Sequence, residues 1–150
     1  EQYLVSDDEI LYRSVPNHPD CFSTADGNVR FSSSAFNDRA QKVSVDRAQL
    51  VKSGEDTKFS ETDGVVALLT EHVRAIDSVK QEENGPAYRI DVIARPVDAD
   101  EEQGIKANPA HAQVESAPEL ANKSRFKKLK EALAQLATRA GWHLEPSRNN

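Results

Sequence analysis

The segment from Ser124 to Gly141, SRFKKLKEALAQLATRAG, decides the fold. Phe126, Leu129, Ala132, Leu133, Leu136, Ala137 and Ala140 recur at helical spacing and share one face. Ser124 is expected to cap the start, and Gly141 to supply the left-handed residue that ends the helix. A helix with one greasy stripe must bury it against another layer. The expected partner is a sheet, because the upstream chain is rich in short strand patterns separated by turn residues.

Four such segments are expected in a mixed or antiparallel sheet: Val29–Phe31, Val65–Leu69, Tyr88–Ala94 and Ala110–Val114. Tyr88, Ile90, Val92 and Ala94 alternate with Arg89, Asp91 and Arg95, the period of a half-buried strand. Val65 to Leu69 is an unbroken apolar run of strand length, and Thr70 after it suits the cap of a helical turn holding Val73 and Ile76. Asp26-Gly27 and Asn84-Gly85-Pro86 read as turns, and Pro16 and Pro96 as strand ends. Ile10 to Val15 reads equally as strand or helix, because Ser6 and Glu9 before it have capping-box spacing. Val43-Ser44-Val45 alternates, and Asp46 is expected to cap a short helix that Gly54 closes. Glu55–Asp63 and Val97–Asn108 read as exposed loops. Trp142 and Leu144 are expected to fold back beside the last helix. The reading is one α+β domain spanning residues 1–150, with a C-terminal amphipathic helix on a small sheet.

One domain is what 150 residues accommodate. With 37% hydrophobic residues the chain can still build one core. Nineteen Lys and Arg against 25 Asp and Glu leave a net charge of -6, which suits a soluble protein and argues against a mainly phosphate-driven nucleic-acid binder. No apolar run reaches the roughly 18–20 residues of a membrane helix. Cys21 is the single cysteine, so an internal disulfide and a Cys-rich zinc site are excluded, and a cytoplasmic location is expected. The chain opens on Glu1 and has no Met, as expected of a trimmed N-terminus.

Few residues suggest chemistry. Lys123, Arg125, Lys127, Lys128 and Lys130 crowd the start of the last helix, where cations oppose the helix dipole by a few tenths of a kcal/mol each. That placement points to an anionic partner, a protein or a nucleic acid, against the plainer reading of a solvated face. His18 and Cys21 are half of a zinc pattern, and Asp98, Asp100, Glu101 and Glu102 lack the glycine and final glutamate of a calcium loop. No metal is expected at either place. His111 lies between the small residues Ala110 and Ala112, which leaves room beside an imidazole that can titrate near neutral pH. No nucleophile partner for it is identifiable in the sequence.

Three separated pieces resemble one class of ADP-ribosyltransferases: Leu11-Tyr12-Arg13, Phe31-Ser32-Ser33-Ser34-Ala35-Phe36 and Gln113-Val114-Glu115. That resemblance implies NAD as cofactor, Arg13 clamping its phosphates, Ser33 or Ser34 on the nicotinamide side, and Glu115 stabilising a cationic ribose. A small transferase or hydrolase around Ser33, Ser34 and His111 is the enzyme alternative. The boxes Leu11-Tyr12-Arg13, Phe31 to Phe36, Ser44-Val45-Asp46, Asn108-Pro109-Ala110-His111-Ala112 and Ala140-Gly141-Trp142 together resemble a widespread group of short, uncharacterised bacterial proteins. That group carries a Ser-Ser-x-Ala-Phe box and a Pro-Ala-His-Ala box, and the similarity spans about residues 8 to 142. It implies a small bacterial accessory or binding module in a larger assembly, and no catalytic role. The leading expectation is therefore a module whose basic helix start contacts a protein or nucleic-acid partner.

Overall fold

The computed structural model describes residues 4–147. Strand β1 (Ile10–Val15) is followed by a hairpin of β2 (Phe22–Ala25) and β3 (Asn28–Phe31), and then by a 3-10 turn at Ser33–Phe36. Next come β4 (Val43–Arg47), 3-10 turns at Ala48–Leu50 and Gly54–Thr57, β5 (Gly64–Leu69) and the single-turn helix α1 (Thr70–Arg74). Strands β6 (Arg89–Ala94) and β7 (His111–Ala117), helix α2 (Lys123–Ala140) and strand β8 (Trp142–Leu144) follow.

Six strands form one sheet in the order β6-β7-β4-β1-β5-β8, and every pairing is antiparallel. Period-2 alternation sorts its side chains between two faces. Leu11, Val15, Val43, Val45, Val66, Leu68, Ile90, Val92, Ala112 and Val114 join one core with Phe126, Leu129, Leu133, Ala134 and Ala137 of α2. Burying each large aliphatic chain in that layer stabilises the fold by about 1.5–3 kcal/mol before entropy is counted. The expected helical stripe holds at Phe126, Leu129 and Leu133, with Leu136 only partly buried at its margin. Tyr12, Ser14, Ser44, Asp46 and His111 alternate onto the opposite face, away from α2.

The architecture is the expected α+β, with several local corrections. Val29–Phe31 is not in the main sheet: among the described residues β3 pairs only with β2, turning at Asp26-Gly27, where Gly27 has a φ of 80°. The sheet is completed instead by β1 at its centre and by β4 and β8. Only half of the capping box forms, the Ser6 N–H donating to Glu9 Oε2 at 2.8 Å while the Glu9 N–H goes to the Ser6 carbonyl and not its hydroxyl, and the element they introduce is strand β1 and not a helix. Glu9 is spent on Arg47, whose buried guanidinium grips both carboxylate oxygens at 2.8 and 2.9 Å. Asp46 caps no helix, because its carboxylate is taken by Thr57 Oγ1 and Asn108 Nδ2. The helix after β5 does begin at Thr70, but its hydroxyl donates to the Glu9 carbonyl at 2.8 Å and does not cap it. Glu55–Asp63 is not a simple exposed loop, since Thr57 and Asp63 are buried. Asn122, not Ser124, caps α2, its side chain accepting from the Arg125 N–H at 3.1 Å. Gly141 ends α2 at a φ of 76°, as its position implied.

One residue later the chain pairs along β5, placing the Trp142 ring on Gly64 and edge-on to Phe22 and Phe31, with centroids 4.9 and 4.6 Å away. Trp142 thereby ties the hairpin to the main sheet. The Phe31 N–H adds a bond to Thr138 Oγ1 on α2 at 2.9 Å. Among the described residues no helix is long and apolar enough to cross a membrane.

Candidate functional site

Between α2 and the β2–β3 hairpin runs an open groove of about 870 Å³. Phe22, Phe31 and Ala134 give it an apolar lining, and Ser23, Ser32, Ser33 and Thr138 contribute hydroxyls. Arg30 reaches it from β3, and Lys127 and Arg139 from two ends of α2, with Glu131 the single acid among the described residues. Among the described residues none of these three cations is paired with a carboxylate or holds a hydrogen bond. The described residues therefore give the groove three positive charges against one negative, inside a molecule that is negative overall.

The five helix-start cations do not act as one patch. Lys127 turns into the groove, while Lys128 lies 3.8 Å from Glu131. Lys130 donates to Asn37 Oδ1 at 2.7 Å and covers the Phe126 ring. Burial, and then the charge of Lys127, hold the Lys130 ammonium below the ordinary lysine value. Lys123 and Arg125 meet no carboxylate among the described residues.

The pieces of the transferase resemblance are not gathered in one cleft. Arg13 is buried and spends four N–H groups inside the chain, on Ala35 O, Asn37 O, Ser44 O and Asp38 Oδ2. That leaves one N–H of five for any outside ligand, which is too little for a pyrophosphate clamp. Burial works to raise the Asp38 carboxyl, but the Ser44 N–H and Arg13 outweigh it and keep it below the usual carboxylate value. Ser33 faces the groove, whereas Ser34 lines a separate hollow with Arg13, His18 and Cys21. Glu115 stands on the open sheet face, bound by the Arg95 guanidinium at 2.9 and 3.1 Å. Cys21 is buried, and burial first and then Asp20 push its thiol up. His18 Nδ1 accepts the Asp20 N–H, and no group of three metal-ligating side chains occurs among the described residues.

His111 has company that the sequence did not announce. It lies in a cleft of about 300 Å³ on the open sheet face, lined among others by Tyr12, Ser44, Asp46, Phe59 and Asn108. Its Nε2 is 3.1 Å from Ser44 Oγ, and its Nδ1 is 2.8 Å from the Arg95 carbonyl. A carbonyl only accepts, so Nδ1 carries the hydrogen and Nε2 receives the Ser44 hydroxyl. Ser14 holds the cleft wall by accepting the Phe59 N–H and donating to Asp63. Ser44, Arg30 and Arg139 are the site residues that sequence reasoning missed. The signal for Ser44 was its alternation with Val43 and Val45, which puts it on the same polar face as His111. Arg30 and Arg139 had no local signal, because only the hairpin's docking brings them to Lys127.

Comparison with family models, curated proteins and solved structures finds no match.

Proposed function

We propose that this chain is a small bacterial, cytoplasmic accessory module that docks an acidic segment of a protein partner in the groove between α2 and the β2–β3 hairpin. The observation that carries this reading is the convergence of Arg30, Lys127 and Arg139, all without carboxylate partners among the described residues, on one groove lined by hydroxyls and aromatic rings. Free cations beside serine and threonine hydroxyls suit carboxylates, and Phe22 and Phe31 add apolar surface for the intervening side chains. A protein segment is favoured over nucleic acid because the net charge of -6 repels a long polyanion beyond the groove itself.

Fluorescence anisotropy with a labelled oligoglutamate peptide containing a few aromatic residues tests this, with a single-stranded oligonucleotide of equal length as comparison. The peptide should bind more tightly than the oligonucleotide, and its affinity should fall as salt rises from about 50 to 200 mM. Reversing Arg30, Lys127 and Arg139 to glutamate should abolish binding. Peptide binding that survives the triple reversal, or a preference for the oligonucleotide, refutes the reading.

A further inference from the structure

The geometry points to a second site, on the opposite face of the molecule, where Ser44 and His111 form a nucleophile and general-base pair for hydrolysis of small carboxylic esters. Three features of the open-face cleft carry this. First, nucleophile and base are within hydrogen-bond reach, Ser44 Oγ to His111 Nε2 being 3.1 Å. Second, the base is oriented: Nδ1 donates to the Arg95 carbonyl at 2.8 Å, which fixes the tautomer that leaves Nε2 basic. Third, the pair opens into a cleft of about 300 Å³, at the small end of ligand sites, with Tyr12 and Phe59 on its walls.

The surroundings also hold a candidate for oxyanion stabilisation. Asn108 is fixed at both ends of its amide, Oδ1 accepting the Ala110 N–H at 3.1 Å and Nδ2 donating to Asp46 Oδ1 at 3.0 Å. Nδ2 carries a second hydrogen, and this amide lines the same cleft as Ser44.

The chemistry balances with water as the only co-reactant. Ser44 Oγ forms a bond to the ester carbonyl carbon while its proton passes to His111 Nε2. The carbon–oxygen bond to the alcohol breaks, and the alkoxide leaves with that proton. Water then attacks the acyl carbon, giving a proton to Nε2. Ser44 Oγ departs, recovers that proton, and the free acid is released. The orienting group on His111 is a neutral carbonyl and not a carboxylate, so the imidazolium is stabilised less than in a triad. That restricts the site to esters with good leaving groups and excludes amides, while a cleft of about 300 Å³ confines the acyl chain to a short one.

The test uses the intact chain with p-nitrophenyl acetate and with a fluorophosphonate probe, the adduct being located by peptide mass mapping. Expected results are saturable ester hydrolysis and a single adduct on Ser44. Ser44→Ala and His111→Gln should each lower hydrolysis about a hundredfold or more. Should Ser44→Ala fold poorly, Ser44→Cys supplies an independent readout. Iodoacetamide should alkylate the new thiol at least about tenfold faster with His111 present than in Ser44→Cys/His111→Gln, buried Cys21 serving as internal control. An adduct elsewhere, no adduct, hydrolysis that persists in Ser44→Ala, or alkylation indifferent to His111 overturns the assignment.

Discussion

Gly64→Ala probes how the hairpin is held on the sheet. A Cβ at Gly64 would sit 2.3, 2.8 and 2.9 Å from three ring carbons of Trp142, against an ordinary contact of about 3.4 Å or more. The backbone at Gly64 has no positive φ, so alanine is tolerated there in every respect but space. The ring must retreat by roughly 1 Å, and it has little freedom, because Phe22 and Phe31 meet it edge-on at 4.9 and 4.6 Å. Overpacking costs about 1–3 kcal/mol, and loosening two aromatic contacts adds about 0.5–1.5 kcal/mol each, so about 2–6 kcal/mol is expected. In urea denaturation this appears as a lower midpoint with unchanged slope, and in thermal melting as a fall of roughly 2–4 °C for each kcal/mol lost. The decisive measurement is the double-mutant cycle with Trp142→Leu, which removes the obstructing ring. In that background Gly64→Ala should cost less than about 1 kcal/mol. An undiminished penalty there, or no penalty in the parent chain, would refute the account. Because Phe22 and Phe31 line the groove, the single variant should also weaken binding of the acidic peptide.

Leu133 is fully buried beneath the sheet, so Leu133→Ala should lower stability by about 2–5 kcal/mol, measured by urea denaturation. Arg13→Met keeps the bulk but strands the carbonyls of Ala35, Asn37 and Ser44, and it should cost about 3 kcal/mol by the same assay. The carboxyls of Glu9, Asp38 and Asp91 all sit below their ordinary values. In each, burial opposes ionisation, but it is outweighed by hydrogen bonds from Arg47 at Glu9, from the Ser44 N–H and Arg13 at Asp38, and from Arg74 at Asp91. A depressed folded value means that these groups stabilise fully above about pH 4–5 and lose that contribution as pH falls through the folded values. Stability should therefore be level from about pH 7 to 5 and decline below about 4. A decline that begins near pH 6 would contradict this.

The helix and its stripe were legible because eighteen residues repeat one period without interruption. Strands β5, β6 and β7 were legible for a similar reason, each being bounded by Gly or Pro and either alternating or uniformly apolar. The centre of the sheet was harder. In β1 the buried position between Leu11 and Val15 is Arg13, so the pattern reads as broken until its guanidinium is seen bonded to three carbonyls and Asp38. The β2–β3 hairpin looked like part of the sheet because a strand pattern does not state its partner. It is held outside by Trp142, more than a hundred residues away, packing across Phe22 and Phe31. The sites were concealed for the same reason. Lys127 was visible in a run of cations, but which of the five turns inward depends on helix phase and on where Arg30 arrives. Ser44 and His111 meet through the pairing of β4 with β7, a long-range register that local sequence does not encode.

The last strand, only three residues long, lies beside β5, whose side chains from Val65 to Leu69 are all apolar. Behind it the Ser147 hydroxyl donates to the Glu61 carbonyl, and the Ser147 carbonyl accepts from Asn17. A chain cut before Trp142 would bare the amides of that greasy ribbon and offer a template on which a second molecule could add its own strand. The C-terminal segment thus serves as a selvedge, binding off the woven edge and keeping neighbouring molecules from knitting together.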